Sequence, residues 1–423
     1  MRGAPGPGSV FAASGAAPTA VCALLLAAGC RAAPDGGHGP TPVAIRNVTV
    51  IPMTPGGETL TAATVVVEGD RITSIDGVRP GSGPPSAAAA DEVGERIPPG
   101  SDVIDGTGRY LIPGLIEMRA RTSKTRGSSL GLYVANGVTT LRDVEDDDEE
   151  LPRWRDEIET GERLGPRLLL GGRRPESGAD LLEPGRDGIE RVLEPTLDGL
   201  DRAERMGVWR RYATAGTRVV PTLVTFTLST FPGRARLEAL AADSIGDLDP
   251  RRPYLSRFLE LDWREQADGV DERRADMYRG VWSNRLRDLR EMHEAGVDIL
   301  AGSDAGVIGI FPGWSLHEEL RLFVDSLGMT PAEALARATR ESAEFLGIAD
   351  SVGSIAEGRV ADLVLLDGDP LEDIGNTRRI AAVLLRGTPY REEDLERILQ
   401  QVLMAPDQRA SDRPREPPAA DST

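Results

Sequence analysis

The chain has 423 residues, 40% of them hydrophobic and 28% charged, with a formal net charge of −19 at pH 7. That length supports a large core, as one big domain or as a barrel with a satellite. The acidic balance argues against a nucleic-acid partner, and 48 of the 49 basic residues are arginine, Lys124 being the exception.

At the N-terminus, Arg2 and a run of small residues precede the apolar stretch from Val21 to Cys30. This run is too short to span a bilayer and fits the hydrophobic region of a signal peptide. Small residues leading into Cys30 resemble a lipobox. Residues 1–30 are therefore expected to be a signal peptide, with Cys30 the lipidated first residue of an exported protein held at the cell envelope. Cys22 would leave with the signal, so no disulfide is expected within the chain. Residues 31–41, rich in Ala, Pro and Gly, read as a tether, and residues 405–423 as a disordered tail.

From Val43 to Asp105 the pattern is short β: 43–50, 64–68, 71–75 and 103–105, punctuated by turn residues such as Gly69-Asp70. A second β set, 361–366 and 380–385, closes the chain. Neither makes a comfortable sheet alone, so residues 42–112 and 355–398 are expected to pair into one small β-sandwich built from both chain ends, with a closing helix. Between them, residues 113–354 alternate apolar strands with helical stretches, as parallel βα units do. Candidate strands are 111–117, 139–144, 167–170, 189–193, 219–224 and 298–302. Helices are clearest at 284–295 and 331–340, the latter opened by Thr330, Pro331 and Glu333 as a capping box. Residues 227–290 read as a charged, mostly helical excursion. The fold class is α/β: an incomplete (β/α)8 TIM-like barrel with about six strands against the eight of a closed one, plus the sandwich.

Seven short segments, taken in order, carry a family resemblance: Val103 to Gly108, Pro113 to Ile116, Asn136 to Asp143, Val220 to Leu223, Leu300 to Gly306, Ser315 to Leu320 and Gly358 to Val364. Together they resemble the imidazolonepropionase- and prolidase-like branch of the metal-dependent amidohydrolases. That resemblance implies a barrel holding one or two divalent ions, usually zinc, at the strand C-termini. It also implies hydrolysis of non-peptide C–N bonds or dipeptides. The family's ligands are a His-x-His pair on strand 1, a bridging carboxylated Lys or Glu on strand 4, a His on each of strands 5 and 6, and an Asp on strand 8. Neutral imidazoles and carboxylates hold the ion, and the ion acidifies a bound water.

Here the strand-1 pair is Arg119 and Arg121, and Glu117 stands where the family has Asp. Gly188 to Arg191 resembles the segment carrying the strand-6 histidine, which puts Arg191 at a third ligand position. A guanidinium stays protonated and offers no lone pair, so none of these arginines replaces an imidazole. Only residues 173–188 separate two candidate strands where the family has two further βα units, although one βαβ unit alone takes roughly 30 residues. Of the three histidines, His38 lies in the tether, His293 is expected to face solvent, and His317 reads as a packing or capping residue near the barrel mouth.

The resulting expectation is a degenerate metal site with no cofactor. Asp304 would be a vestigial general base, paired with Arg119 or Arg121. Glu117, Asp143 and Glu190 would be further partners, and these three with His317 would make up a residual pocket. The leading functional reading is an amidohydrolase-family protein that has lost its metal centre and activity. Two others stay open: a hydrolase with an unusual carboxylate metal site, and a binding protein for an amide or anionic metabolite. Membrane contact through the lipid anchor and homo-oligomerisation, covering the edges left by absent strands, complete the expectations.

Overall fold

The computed structural model describes residues 41–79, 97–144, 150–171, 189–190 and 197–405. Five strands open the described chain: β1 (Val43–Val50), β2 (Leu60–Glu68), β3 (Arg71–Val78), β4 (Asp102–Asp105) and β5 (Tyr110–Pro113). Then come β6 (Leu115–Ala120), β7 (Val138–Asp143), β8 (Arg167–Leu170), β9 (Ile189–Glu190), β10 (Arg218–Val220) and β11 (Asp298–Ile299). Three more close it: β12 (Leu363–Leu366), β13 (Ile380–Leu385) and β14 (Thr388–Arg391).

The two ends of the chain meet in one eight-stranded sheet, ordered β14-β13-β12-β5-β1-β2-β3, with β4 also pairing to β1. The junction is β12 against β5, antiparallel, with Leu363 opposite Pro113 and Leu366 opposite Tyr110. Every residue of β12 is buried because both its faces are covered. Leu363 and Leu365 belong to a core shared with Val43, Ile45, Val65 and Ile72. Val364 and Leu366 belong to the larger core of the central region. Successive side chains of a strand point to opposite faces, so an unbroken apolar run is what a wall between two cores requires.

The central strands form two parallel three-stranded sheets, β6-β7-β8 and β11-β10-β9. Backbone bonds stitch the two together where the β11 segment runs alongside β6. The Met118 amide donates to the Ala301 carbonyl at 3.0 Å and the Asp304 amide to the Arg119 carbonyl at 2.9 Å. Gly302 permits this approach, since a Cβ there would stand 2.6 Å from Val220 Cγ1 and 3.0 Å from Arg119 Cβ.

Several element boundaries differ from those read in the sequence. The run 111–117 is two strands, β5 and β6, parted at Gly114, where a Cβ would collide with Thr139 Oγ1 at 2.1 Å. The segment 219–224 leaves the strand after Val220, because Thr222 takes a left-handed conformation and a helical turn begins at Leu223. The helix read as 284–295 starts twelve residues earlier, spanning Glu272–Glu294 behind an Asp271 cap. That read as 331–340 stops at Arg337 and resumes as Arg340–Phe345. The interruption leaves the Ala338 carbonyl to accept the Ile116 amide at 2.7 Å, so a strand bond replaces a helical one. The Thr330–Glu333 capping box forms as its sequence implies. The excursion carries helices Arg234–Ala242 and Arg257–Asp268 as well as Glu272–Glu294. Among the described residues no helix is long and apolar enough to cross a membrane.

Candidate functional site: a buried arginine–aspartate centre

All six residues of β6 are buried. Ile116 and Met118 pack with Val220, Leu300 and Ala343. Glu117 and Arg119 have the opposite parity, so they face the other way along the strand, and Arg121 continues that parity just beyond it. The β11 segment supplies what they meet. Asp304 has φ 61°, in the left-handed region that Asp adopts more readily than most residues. Its amide is fixed by the Arg119 carbonyl, and the Arg121 amide donates in turn to the Ala305 carbonyl at 3.2 Å.

Two guanidiniums converge on the Asp304 carboxylate. Arg121 Nε donates to Oδ1 at 2.7 Å, and Arg119 Nε lies 3.1 Å from the same oxygen. The Asp304 side chain is fully buried, and those of Arg119 and Arg121 are only 6% and 12% exposed. A buried carboxylate needs charge compensation and hydrogen bonds to remain ionised, and these arginines provide both.

Glu117 was expected as a further partner of the guanidiniums, and the structure corrects this. Its Oε2 accepts from Ser303 Oγ at 2.7 Å, while Oε1 accepts the Ser303 and Arg119 amides at 2.7 and 3.0 Å. Burial raises its pKa to about 7 despite those three bonds, and the neighbouring Asp304 charge pushes the same way. A carboxyl close to neutrality has little need of a guanidinium. Asp143, also fully buried, accepts the Thr122 amide at 2.6 Å. Glu190 lies in β9, for which only the backbone is described, and Arg191 and Cys30 lie outside the described residues.

His317 and His293 are placed away from this centre, and His38 lies outside the described residues. His317 Nε2 lies 3.0 Å from the Asn136 carbonyl and Nδ1 2.9 Å from Thr377 Oγ1. Since a carbonyl can only accept, Nε2 carries the proton. Burial lowers the pKa of this ring to about 4, so it is neutral and ties its helix, Trp314–Leu327, to its neighbours. His293 was expected to be solvent-facing but is half-buried, its Nε2 3.8 Å from Glu333. Burial and the Arg337 charge lower its pKa.

One ionisable group went unremarked in the sequence. Glu319 is fully buried and accepts the Leu223 and Val224 amides at 2.9 and 2.7 Å, capping the turn after β10. Burial raises its pKa to about 8. Its position between Leu316 and Leu320 on the apolar stripe of an amphipathic helix was the available signal.

These residues do not fit a divalent metal. Guanidinium nitrogens have no lone pair to donate, and the Asp304 oxygen nearest them is engaged by two cations. Among the described residues no three His, Cys, Asp or Glu side chains converge in a way that could hold an ion.

Residues 273–389 match the model of the amidohydrolase family. An imidazolonepropionase from Geobacillus kaustophilus is 40% identical over 83 residues, which is 20% of this chain and 19% of that protein. An adenine deaminase from Rubrobacter xylanophilus is 25% identical over 379 residues, 81% of this chain and 56% of that protein. The chain thus covers under two thirds of either relative. Among solved structures, a molinate hydrolase superposes with a TM-score of 0.51 at 18% identity, covering 89% of this chain and 98% of that one. A Bifidobacterium longum protein described provisionally as a prolidase gives 0.50 at 21%, covering 86% and 99%. At such identities the likeness is one of fold. Residues 273–389 thus carry a likeness to the amidohydrolase family, and the superposed structures show a TIM-barrel-like α/β fold.

Proposed function

We propose that this protein keeps the amidohydrolase frame but has exchanged the metal centre for a buried salt bridge, and that it does not carry out the family's metal-dependent hydrolysis. The observation behind this reading is the pair of contacts, 2.7 and 3.1 Å, from Arg121 and Arg119 to a fully buried Asp304. Taking an ion out of a pocket of carboxylates leaves like charges facing one another at low dielectric, and a guanidinium restores the balance without metal chemistry. Asp304, the family's proton acceptor, is held here as an ion-pair partner, and a base with no activated water has nothing to deprotonate. The reading of Glu117, Asp143 and Asp304 as ligands of a hard ion is disfavoured. Glu117 is committed to Ser303, and Asp304 to two cations.

Elemental analysis of the purified full chain, after incubation with zinc or manganese and desalting, should find well under one ion per chain. Dipeptides ending in proline and N-acyl amino acids should go unhydrolysed under the same conditions. A stoichiometric ion whose removal by chelator abolishes a hydrolytic activity would overturn the proposal. Our reading also places the protein outside the cytoplasm, lipid-anchored through Cys30, which metabolic labelling with a fatty acid would test.

A further inference from the structure

We propose that a cavity in the helical excursion is a binding site for a small aromatic amine. The cavity, of about 460 Å³, lies between the turn after β10, the helices Arg257–Asp268 and Glu272–Glu294, and the loop that follows Asp304. Its size falls in the range of pockets that enclose metabolite-sized ligands. Arg119, Arg121 and Asp304 are not among its walls, so it is separate from the position the family uses for metal.

Its walls are mixed, an aromatic and apolar side facing a set of polar groups. Phe226 and Tyr278 stand edge to face, ring centroids 6.0 Å apart, backed by Trp282 at 5.3 Å from Phe226. Ile308 and Ala275 add apolar surface, and Ser229 and Thr230 bring hydroxyls. Those hydroxyls sit on a π-helical turn, Phe226–Thr230, closed by the Phe231 amide donating to the Phe226 carbonyl at 2.8 Å. Such widened turns recur at functional sites because they displace side chains that a regular helix would stack.

The cavity is preformed. Gln266 pins its floor, with Oε1 accepting the Ile308 amide at 3.0 Å and Nε2 donating to Asp262 at 2.6 Å and to the Gly306 carbonyl at 3.3 Å. Gly309 lets this loop press on the π turn, since a Cβ there would meet the Leu228 carbonyl oxygen at 2.6 Å.

Charge decides the ligand class. Among the described side chains lining the cavity, Asp271 is the one that carries charge, at the exposed rim. The nearby Arg234 and Arg279 direct guanidinium nitrogens to the Val270 and Phe231 carbonyls at 2.7 and 2.6 Å. Arg285 lies 5.7 Å from the Phe226 centroid and 5.6 Å from that of Tyr278, itself buried, so the ring stack already faces a cation on its inner side. A ligand's ammonium therefore belongs at the Asp271 rim, with its aromatic ring against Phe226 and Tyr278. The net charge of −19 favours the approach of a cation and disfavours an anion.

Calorimetric titration of the full chain with phenethylamine, phenylacetate and benzyl alcohol tests this. Phenethylamine should bind saturably at one site, with phenylacetate at least about tenfold weaker. Asp271→Asn keeps the helix cap, because Asn caps as well as Asp, and should weaken phenethylamine by about tenfold while leaving benzyl alcohol unchanged. Ala275→Leu, which fills the cavity from a helical position, should abolish binding of all three with the circular dichroism unchanged. Absence of saturable binding by any probe would overturn the proposal, as would equal affinity for amine and carboxylate, or indifference to both substitutions. The metal assay does not enter this result, so the two proposals fail separately.

Discussion

Replacing Asp304 by asparagine isolates the charge of the arginine–aspartate centre from its shape. Asn is nearly isosteric and is, with Asp, among the few residues that tolerate the φ of 61° found here, so backbone strain stays constant. In the wild type, each guanidinium gains on the order of 4 kcal/mol from a unit charge about 4 Å away at an effective dielectric near 20, and desolvation of three buried ions offsets much of this. Removing the carboxylate alone deletes the attraction but not the burial. Two cations whose side chains are 6% and 12% exposed are left facing each other. Loss of one member of a buried pair costs about 3 to 5 kcal/mol, and Asp304→Asn should fall in that range in equilibrium urea unfolding at pH 7 followed by tryptophan fluorescence. Adding Arg119→Met and Arg121→Met should recover part of the loss, since the two guanidiniums are then no longer buried without the Asp304 carboxylate. A single-variant loss below about 0.5 kcal/mol, or a triple variant no better than the single, would refute the argument that the centre is held by charge.

Two further outcomes follow from groups around the centre. Glu117 and Glu319 have folded pKa values of about 7 and 8 against an ordinary 4.5, so the folded state binds more protons and their contribution to stability is lost as pH rises through those values. His317 runs the other way, its folded pKa of about 4 giving a contribution that is complete above the ordinary 6.5. Stability should therefore decline between about pH 6.5 and 8.5, and Glu319→Gln should flatten that decline; a wild-type profile that rises over this window would contradict the assignment. Gly302→Ala should destabilise by about 1 to 3 kcal/mol, because its Cβ would press on Val220 and on Arg119. An unchanged denaturation midpoint would show that β6 and the β11 segment do not need their close approach.

Much of the fold was legible because it rests on periodicity and turn chemistry. The run at 380–385 is an unbroken apolar strand, the run at 43–50 is largely apolar or β-branched around the exposed Arg46 and Asn47, and Thr330-Pro331 with Glu333 specifies a helix start from local chemistry alone. What escaped were the places where a tertiary contact overrides local pattern. The Ala338 carbonyl leaves its helix to meet Ile116, and Thr222 turns left-handed just past β10. In the centre, the arginines were visible because they stand where the motif has histidine. Their common partner, Asp304, followed from charge balance. The Glu117–Ser303 bond did not, because serine at 303 reads as an ordinary motif residue until burial has moved the Glu117 pKa and changed what that carboxyl needs.

The pairing of β5 with β12 has a consequence for biosynthesis. Pro113 lies opposite Leu363, so a ribosome that has completed β5 must add roughly 250 further residues before its partner strand exists. At about 5–20 residues per second that is an interval of roughly 10 to 50 s. Throughout it, Leu111 and Ile112, both fully buried in the finished protein, sit on a strand edge that nothing of the nascent chain can yet cover. β5 is thus made long before its second neighbour, and its safe passage depends on whatever shields that edge until β12 emerges.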